Sequence, residues 1–178
     1  YRGEFGDIDM AMQIHADKNM PEATVCIGQS SNGFIGKTIQ YVGKTAHAAD
    51  APDQGINALN AAMLGIMGIN ALRETFREKD VIRVHPIITK GGDLVNSVPA
   101  DVRIETYVRA KTMDAIDATQ ARVDAALKAG GDAVGAQTII ETLPGQLPLV
   151  CNAAMYELFV ANANLVNPEV AIKDAGHF

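Results

Sequence analysis

The segment from Val102 to Arg109 restricts the possible folds of this chain most strongly, because two kinds of side chain alternate along it without interruption. One set is Val102, Ile104, Thr106 and Val108, and the other is Arg103, Glu105, Tyr107 and Arg109. A strict period of two predicts a β-strand with one face buried and the other face in solvent. Because such a strand must cover its buried face, the chain needs a sheet and a second layer.

Periodic segments on both sides of this strand supply those partners. Runs of β-forming residues predict strands over 34–44, 81–89 and 134–143. Apolar residues at helical spacing predict a helix over 56–76 that is capped at 53–55, a second over 113–127 that stops at Gly130-Gly131, and a third over 152–165. The order β-α-β-β-α-β predicts an α+β, ferredoxin-like domain over 32–143, with two helices on one face of a four-stranded antiparallel sheet.

The composition argues against several classes of protein. The 178 residues suffice for a buried core, and a net charge of −6 argues against a protein that binds a nucleic-acid backbone. No apolar stretch approaches the ~20 residues that span a bilayer. Cys26 and Cys151 lack metal-type spacing, so we expect a cytoplasmic protein without a disulfide scaffold. Both ends of the sequence read like the interior of a domain, and we expect the chain to be part of a longer polypeptide.

Three side chains near the predicted strands are candidates for binding or catalysis. His47 lies in an alanine-rich turn, where its imidazole is either an ordinary surface group or a group that projects toward a ligand. Asn96 follows Gly91-Gly92, and its amide either caps that loop or contacts a ligand. Arg109, on the polar face of its strand, is either solvated or paired with a carboxylate.

One further motif, His15-Ala16-Asp17, has the His-x-Asp form that occurs in some metal sites. Two ligand-type residues do not make a zinc site, which needs three or four. The motif alone therefore predicts little.

The order and spacing of several motifs point to a known family. The residues are Gly43-Lys44-Thr45-Ala46-His47-Ala48-Ala49 with Pro52, Gly55 and Asn57-Ala58-Leu59, then Gly91-Gly92 with Asn96-Ser97-Val98-Pro99, then Val108-Arg109. Together they resemble the metallo-amidohydrolases of the aminoacylase and glutamate-carboxypeptidase superfamily, peptidase family M20. The segments 72–74, 84–89 and 107–110 look most like the p-aminobenzoyl-glutamate hydrolase branch of that family.

This resemblance implies three parts in the chain. Residues 32–143 would be an inserted lid, or dimerisation, domain. Residues 1–31 and 144–178 would be the end of the first segment and the start of the second segment of an α/β zinc-peptidase-like catalytic domain. His15 would then be a metal ligand, and the other ligands and the general base would lie outside this chain.

The resemblance also implies a mechanism. Two divalent ions, zinc or manganese, would activate a water that attacks the amide of an N-acyl or N-aroyl amino acid such as p-aminobenzoyl-glutamate. His47 would donate to the developing oxyanion, in some relatives from the partner subunit of a homodimer formed through the lid. Asn96 and Arg109 would hold the carboxylate of the substrate. Since the remaining ligands are missing, we expect this chain alone to bind no metal stably and to have no amidase activity.

Two other interpretations stay open from the sequence. The chain would be either a non-catalytic ferredoxin-like binding or oligomerisation module, or a relative that has lost its metals and keeps only the pairing of its lids. An edge strand next to the first helix favours lid-to-lid pairing, because unpaired strand edges recruit partners.

Overall fold

A computed structural model describes residues 6–12, 20–27 and 30–174 of the chain, which form two compact units. The larger unit ends at Cys151, and the smaller one combines the described residues up to Ile27 with Asn152–Asp174. The strands are β1 Thr24–Ile27, β2 Gly33–Val42, β3 Arg83–Val84, β4 Ile87–Lys90, β5 Asp101–Ala110, β6 Gln137–Gln146 and β7 Ala171–Asp174. The α-helices are α1 Ala58–Leu72, α2 Met113–Asp132 and α3 Ala153–Val166.

The larger unit contains an antiparallel sheet with the strand order β3-β5-β2-β6, and β4 also pairs with β5. The sheet thus has five strands where the sequence predicts four. Pro86 separates β3 from β4, since proline has no backbone N–H to donate to a neighbouring strand. The single strand predicted over 81–89 is therefore two short strands, which lie along the same edge of β5.

Both helices cover one face of this sheet, as the alternation along β5 requires. Arg103, Glu105 and Tyr107 are exposed on the other face, which neither α1 nor α2 of the larger unit covers. Lys37 is a charged residue that is buried beneath the helices, and its ammonium is paired with Asp124 of α2 at 2.8 Å. The largest buried apolar side chains are Ile39, Tyr41, Ile69, Val84, Val102, Ile104, Val108, Ile116, Val123 and Leu127.

The start of α1 and the end of α2 differ from the sequence prediction. The cap of α1 is Asn57, whose side chain accepts from the N–H groups of Leu59 and Asn60, and residues 52–54 form a separate 3-10 turn. Helix α2 continues through Gly130 and Gly131 to Asp132. A Cβ on Gly130 would lie 2.5 Å from the carbonyl oxygen of Ala61. Gly130 is therefore a point of close helix packing and not a helix stop.

Strand β6 runs three residues beyond its predicted end at Leu143 and includes Pro144. Among the described strands β6 pairs with β2 alone, so the missing N–H of Pro144 is tolerated at an edge.

The smaller unit pairs β1 with β7 in parallel, from Thr24 opposite Ala171 to Ile27 opposite Asp174. Helix α3 precedes β7 and is capped by Asn152, which accepts from the N–H of Met155. None of the helices in the described ranges is both long and apolar enough to cross a membrane.

Candidate functional site

The turn that carries His47 begins where β2 meets the chain leading into α1. The N–H of Gly43 donates to the carbonyl of Ala100 at 2.8 Å, and Lys44 and Ile56 exchange two backbone hydrogen bonds. A Cβ on Gly43 would overlap the carbonyl of Ile56, so this close approach of two backbones requires glycine. The following residues are thereby held against the end of the sheet.

Backbone hydrogen bonds bring His47 and Asn96 onto neighbouring segments. The N–H of Ala48 donates to the carbonyl of Asn96 at 2.9 Å, and the N–H of Val98 donates to the carbonyl of Ala46 at 2.9 Å. His47 thus lies opposite Ser97 in an antiparallel bridge. Both His47 and Asn96 are exposed, so two of the three predicted site residues share one end of the larger unit.

The imidazole of His47 is oriented by its own turn. Its Nδ1 accepts from the backbone N–H of Asp50 at 3.1 Å and from that of Ala49 at 3.3 Å. A ring nitrogen that accepts hydrogen bonds carries no proton, so the neutral imidazole in this arrangement carries its proton on Nε2. The arrangement leaves Nε2 as an N–H donor at the surface.

A cluster of charges, which the sequence analysis missed, holds the loop that carries Asn96. Lys90 at the start of the loop contacts Asp101 at its end at 2.9 Å and Asp93 within it at 3.3 Å. Gln40 donates to the same Asp101 carboxylate at 2.8 Å. The hydrogen bond from Lys90, followed by that from Gln40, lowers the pKa of Asp101 to about 2, and the two aspartates raise the pKa of Lys90. The sequence signal that could have predicted this cluster is the pair of opposite charges at the two ends of a glycine-containing loop.

Arg109 lies at the other end of the sheet. In the register of β2 with β5, Asp101 is opposite Val42, near the His47 turn, whereas Arg109 is opposite Phe34. Eight residues of extended chain at 3.3 Å each put Arg109 about 26 Å from the start of β5. The guanidinium carbon of Arg109 lies 4.8 Å from the ring centre of Phe34 and 5.1 Å from that of Tyr107. One copy of this unit therefore does not bring Arg109 together with His47 and Asn96.

His15, the predicted metal ligand, lies outside the described residues. Among residues 6–12, 20–27 and 30–174, no group of three or more His, Cys, Asp or Glu side chains is placed to hold a metal ion. These residues do not fit a metal centre on their own, and we derive no catalytic step through a metal from them.

Comparison with known proteins identifies the larger unit. A family model described as a peptidase dimerisation domain matches residues 30–134, more than half of the chain. The unit formed by the sheet, its two helices and the His47 turn is thus a peptidase dimerisation domain. The chain belongs to the M20 peptidase family, as its motifs predicted.

Proteins similar to this chain include several hydrolases. The Xaa-Arg dipeptidase of Mus musculus is 30% identical over 174 residues, which are 97% of this chain and 39% of that protein. A p-aminobenzoyl-glutamate hydrolase polypeptide of Escherichia coli (strain K12) is 33% identical over 78% of this chain and 27% of its own length. A crystal structure of an aminobenzoyl-glutamate utilization protein from Klebsiella pneumoniae superposes with a TM-score of 0.74 at 19% identity, covering 92% of this chain and 42% of that one. The chain thus spans less than half the length of these relatives.

Proposed function

We propose that this chain is part of a metal-dependent amidohydrolase that cleaves the amide bond of N-acyl or N-aroyl amino acids. Membership of the M20 family supports the reaction class. Two of the relatives are named for Xaa-Arg dipeptides and for p-aminobenzoyl-glutamate. In both substrates the residue on the amine side of the amide bond carries a free carboxylate. A small amide with that carboxylate is the substrate that we propose for this protein.

In this proposal the two units are a lid domain and part of a catalytic domain, as in the family. Residues 32–143 form a lid of ferredoxin-like type, with β3 and β4 counted as one interrupted strand. Residues 1–31 and 144–178 belong to an α/β catalytic domain. The parallel pair β1 and β7 supports this assignment, because parallel sheets are normally covered on both faces. Leu158 of α3 remains 59% exposed, which is consistent with a surface that further parts of such a domain would cover.

His47 acts as the donor to the oxyanion in the proposed reaction. The single observation that carries this role is the hydrogen bonding of its Nδ1 to the N–H groups of Ala49 and Asp50, which leaves an N–H at Nε2. A donor that is already oriented does not have to reorganise as negative charge develops on the amide oxygen.

Arg109 and Asn96 bind the substrate carboxylate, and the separation between them indicates a site shared by two subunits. An arginine offers two parallel N–H donors to a carboxylate, and an amide adds a third donor. Because Asn96 and His47 lie at the opposite end of the sheet from Arg109, a single lid cannot present all three to one small molecule. In a homodimer, one subunit can present His47 and Asn96 to the substrate while the other subunit presents Arg109.

The exposed side of α1 is the surface that we propose for this dimer. None of the fifteen residues of α1 is charged, and Met63 and Met67 are 52% and 64% exposed. Helix α2 packs on β5, β2 and β6, whereas the main sheet contacts of α1 are with β5 and β2, so α1 lies nearer the edge that β3 and β4 form. In the described residues β4 pairs on one side only, with β5. An apolar helix face beside an unpaired strand is a combination typical of a self-association surface.

Pairing of two β4 strands about a two-fold axis perpendicular to the sheet gives the geometry that a shared site requires. The axis makes the two strands antiparallel and reverses the direction of the second sheet. The end that carries His47 and Asn96 in one protomer then lies on the same side of the dimer as Arg109 of the other. The substrate would be bound by both subunits.

The metal site belongs to the catalytic domain in this proposal. Two divalent ions, zinc or manganese, would be held by His15 and by ligands outside this chain, and they would supply the activated water. The lid residues bind the carboxylate, and the Nε2–H group of His47 donates a hydrogen bond to the amide oxygen.

The proposal is tested with the full-length protein that contains this chain. Purified protein loaded with Zn²⁺ or Mn²⁺ is assayed for release of glutamate from p-aminobenzoyl-glutamate, with the corresponding compound that lacks the α-carboxylate as a control. We expect hydrolysis of the first compound, little of the second, and loss of activity with EDTA. Full-length protein that dimerises and hydrolyses neither p-aminobenzoyl-glutamate nor a set of N-acyl amino acids would instead be the non-catalytic oligomerisation module.

A further inference from the structure

Arg109 rests on two aromatic rings at one end of the sheet face that α1 and α2 leave uncovered. Its guanidinium carbon lies within 5.1 Å of both ring centres, and the rings of Phe34 and Tyr107 are 4.8 Å apart and tilted by 52°. Phe34 is directly opposite Arg109 in the β2–β5 register, and Tyr107 is two residues before it. These three side chains, which we call the arginine clamp, therefore share one face of two adjacent strands.

The Tyr107 ring lies beside Gly36 of the neighbouring strand. Gly36 is opposite Tyr107, and a Cβ on Gly36 would lie 3.6 Å from the Cε1 atom of that ring. The ring therefore lies against the backbone of β2 and extends toward Phe34, even though half of the Tyr107 side chain is exposed. A Cβ at position 36 would make an ordinary van der Waals contact with the ring, and its closest approach, 3.3 Å, would be to the Cβ of Leu143.

The N–H groups of the Arg109 guanidinium have no hydrogen-bond acceptor among the described residues. No hydrogen bond or ion pair joins its side chain to another residue within the described ranges, although it is only partly exposed. Stacking on rings occupies the flat face of a guanidinium and leaves the N–H groups at its edge available. The arrangement fixes the direction of the cation without using its donors.

We propose that Phe34 and Tyr107 are positioning residues, which hold the Arg109 guanidinium so that its N–H edge binds the free carboxylate of the substrate. This inference rests on the proposed function. It adds that recognition of the carboxylate depends on the two rings as well as on the arginine. A guanidinium held in one orientation loses less conformational entropy when it binds than a free one does.

The test measures binding of p-aminobenzoyl-glutamate to the full-length protein by calorimetry in EDTA, so that hydrolysis does not interfere. We expect Tyr107→Leu and Phe34→Leu each to raise Kd about three- to tenfold, since a cation–π contact contributes on this order. Tyr107→Phe keeps the ring and should stay within about twofold of wild type. Ile139→Ala, on the same face of the sheet but outside the arginine clamp, is the matched control and should do the same.

A double-mutant cycle separates positioning from general damage. If Tyr107 acts through Arg109, the Arg109→Lys/Tyr107→Leu double variant should bind no more weakly than Arg109→Lys alone. Additive losses, or an unchanged Kd in Tyr107→Leu, would overturn the inference.

The two proposals fail in different ways. Binding that depends on the arginine clamp without hydrolysis by the metal-loaded protein would refute the proposed function and retain this inference. Hydrolysis by the metal-loaded protein together with an unchanged Kd in Tyr107→Leu would support the proposed function and refute this inference.

Discussion

The side chain of His47 combines a structural and a chemical function, which a suitable substitution can separate. Its Nδ1 accepts two backbone N–H groups of its own turn, and its Nε2 is the proposed donor to the oxyanion. Asparagine has an acceptor oxygen close to the position of Nδ1 but nothing at the position of Nε2. We expect His47→Asn in the full-length enzyme to lower kcat about 10²- to 10³-fold, as removal of an oxyanion donor does, with Tm nearly unchanged.

His85 offers a matched control for this substitution. It is also an exposed histidine of the larger unit, in the break between β3 and β4. His85→Asn should leave kcat and Tm as in wild type. An equal fall of kcat in both variants, or a kcat unaffected by His47→Asn, would contradict the proposed role.

The stability of the larger unit should depend on pH through Asp101, whose carboxylate holds the loop that carries Asn96. Because hydrogen bonds from Lys90 and Gln40 lower the pKa of Asp101 in the folded state to about 2, from 3.8, its contribution to stability is full above about pH 4. The contribution is lost as the pH falls through 2, where the folded carboxylate becomes protonated. The effect is small because both partners of the ion pair are partly exposed.

The measurement is the urea midpoint of wild type and of Asp101→Asn between pH 6 and pH 2. We expect wild type to be more stable than the variant above pH 4 and the difference to shrink toward pH 2. Glu74→Gln, an exposed carboxylate outside this cluster, should show no such trend. A constant difference between wild type and Asp101→Asn over the whole range would show that the ion pair has no influence on stability.

The sequence indicated which residues are candidates for the site, but it did not predict how far apart they lie in the fold. The motifs around His47 and Asn96 were correctly identified as neighbours of strand ends. The prediction that Asn96 and Arg109 hold the same substrate carboxylate did not consider the length of β5. Arg109 lies thirteen positions after Asn96, and most of this segment is extended chain, so the distance between the two grows by about 3.3 Å per residue. The antiparallel register with β2 then places Arg109 at the far end.

Among the elements, α2 shows how glycine can be misinterpreted. Gly130-Gly131 predicted a helix stop, because glycine favours helix ends in isolated sequence. In the structure Gly130 lies against the backbone of Ala61 and Gly65, and a Cβ on Gly131 would overlap the hydroxyl of Thr138. Only the tertiary contact distinguishes a glycine that ends a helix from one that lets another helix approach. Pro86 similarly divides a strand whose apolar pattern continues on both sides of it.

This packing leads to a prediction about Gly130→Ala. At an ordinary helix position the change from glycine to alanine stabilises by about 1 kcal/mol. Here the new Cβ would lie 2.5 Å from backbone atoms of α1, so the two helices must separate. We expect a loss of about 1–3 kcal/mol in the free energy of unfolding, measured by urea denaturation.

The adjacent residue supplies the control. Ala129 is exposed on the same turn of α2, and Ala129→Leu adds more atoms without a clash. It should stay within about 0.5 kcal/mol of wild type. A Gly130→Ala variant that is more stable than wild type would mean that α1 and α2 are not in close contact at this point.

We expect a new negative charge to disrupt dimerisation when it is placed on α1 but not when it is placed on α2. The exposed side of α1 carries Met63 and Met67 and no charged residue, whereas Lys128 is exposed on α2. If α1 faces a second copy, Met67→Glu buries a carboxylate at the interface and should convert a dimer into a monomer, with little change in Tm. Sedimentation velocity gives the mass. Lys128→Glu should remain dimeric, and a dimeric Met67→Glu would exclude this surface.

The assembly of the complete active site gives the most demanding test. If each site takes Arg109 from one subunit and His47 from the other, a heterodimer of His47→Asn with Arg109→Ala contains one intact site and one doubly defective site. Homodimers of either variant contain none. Random exchange of subunits makes half of the dimers mixed, so an equal mixture of the two inactive variants should recover about a quarter of wild-type activity.

A mixture left unexchanged, kept at a low temperature and assayed at once, is the control and should stay inactive. If His47 and Arg109 instead serve the same site from one subunit, each subunit of the heterodimer has a defective site and no activity returns. The roughly 26 Å between the two ends of β5 favours the first result, because this distance exceeds the reach of any small carboxylate-bearing amide.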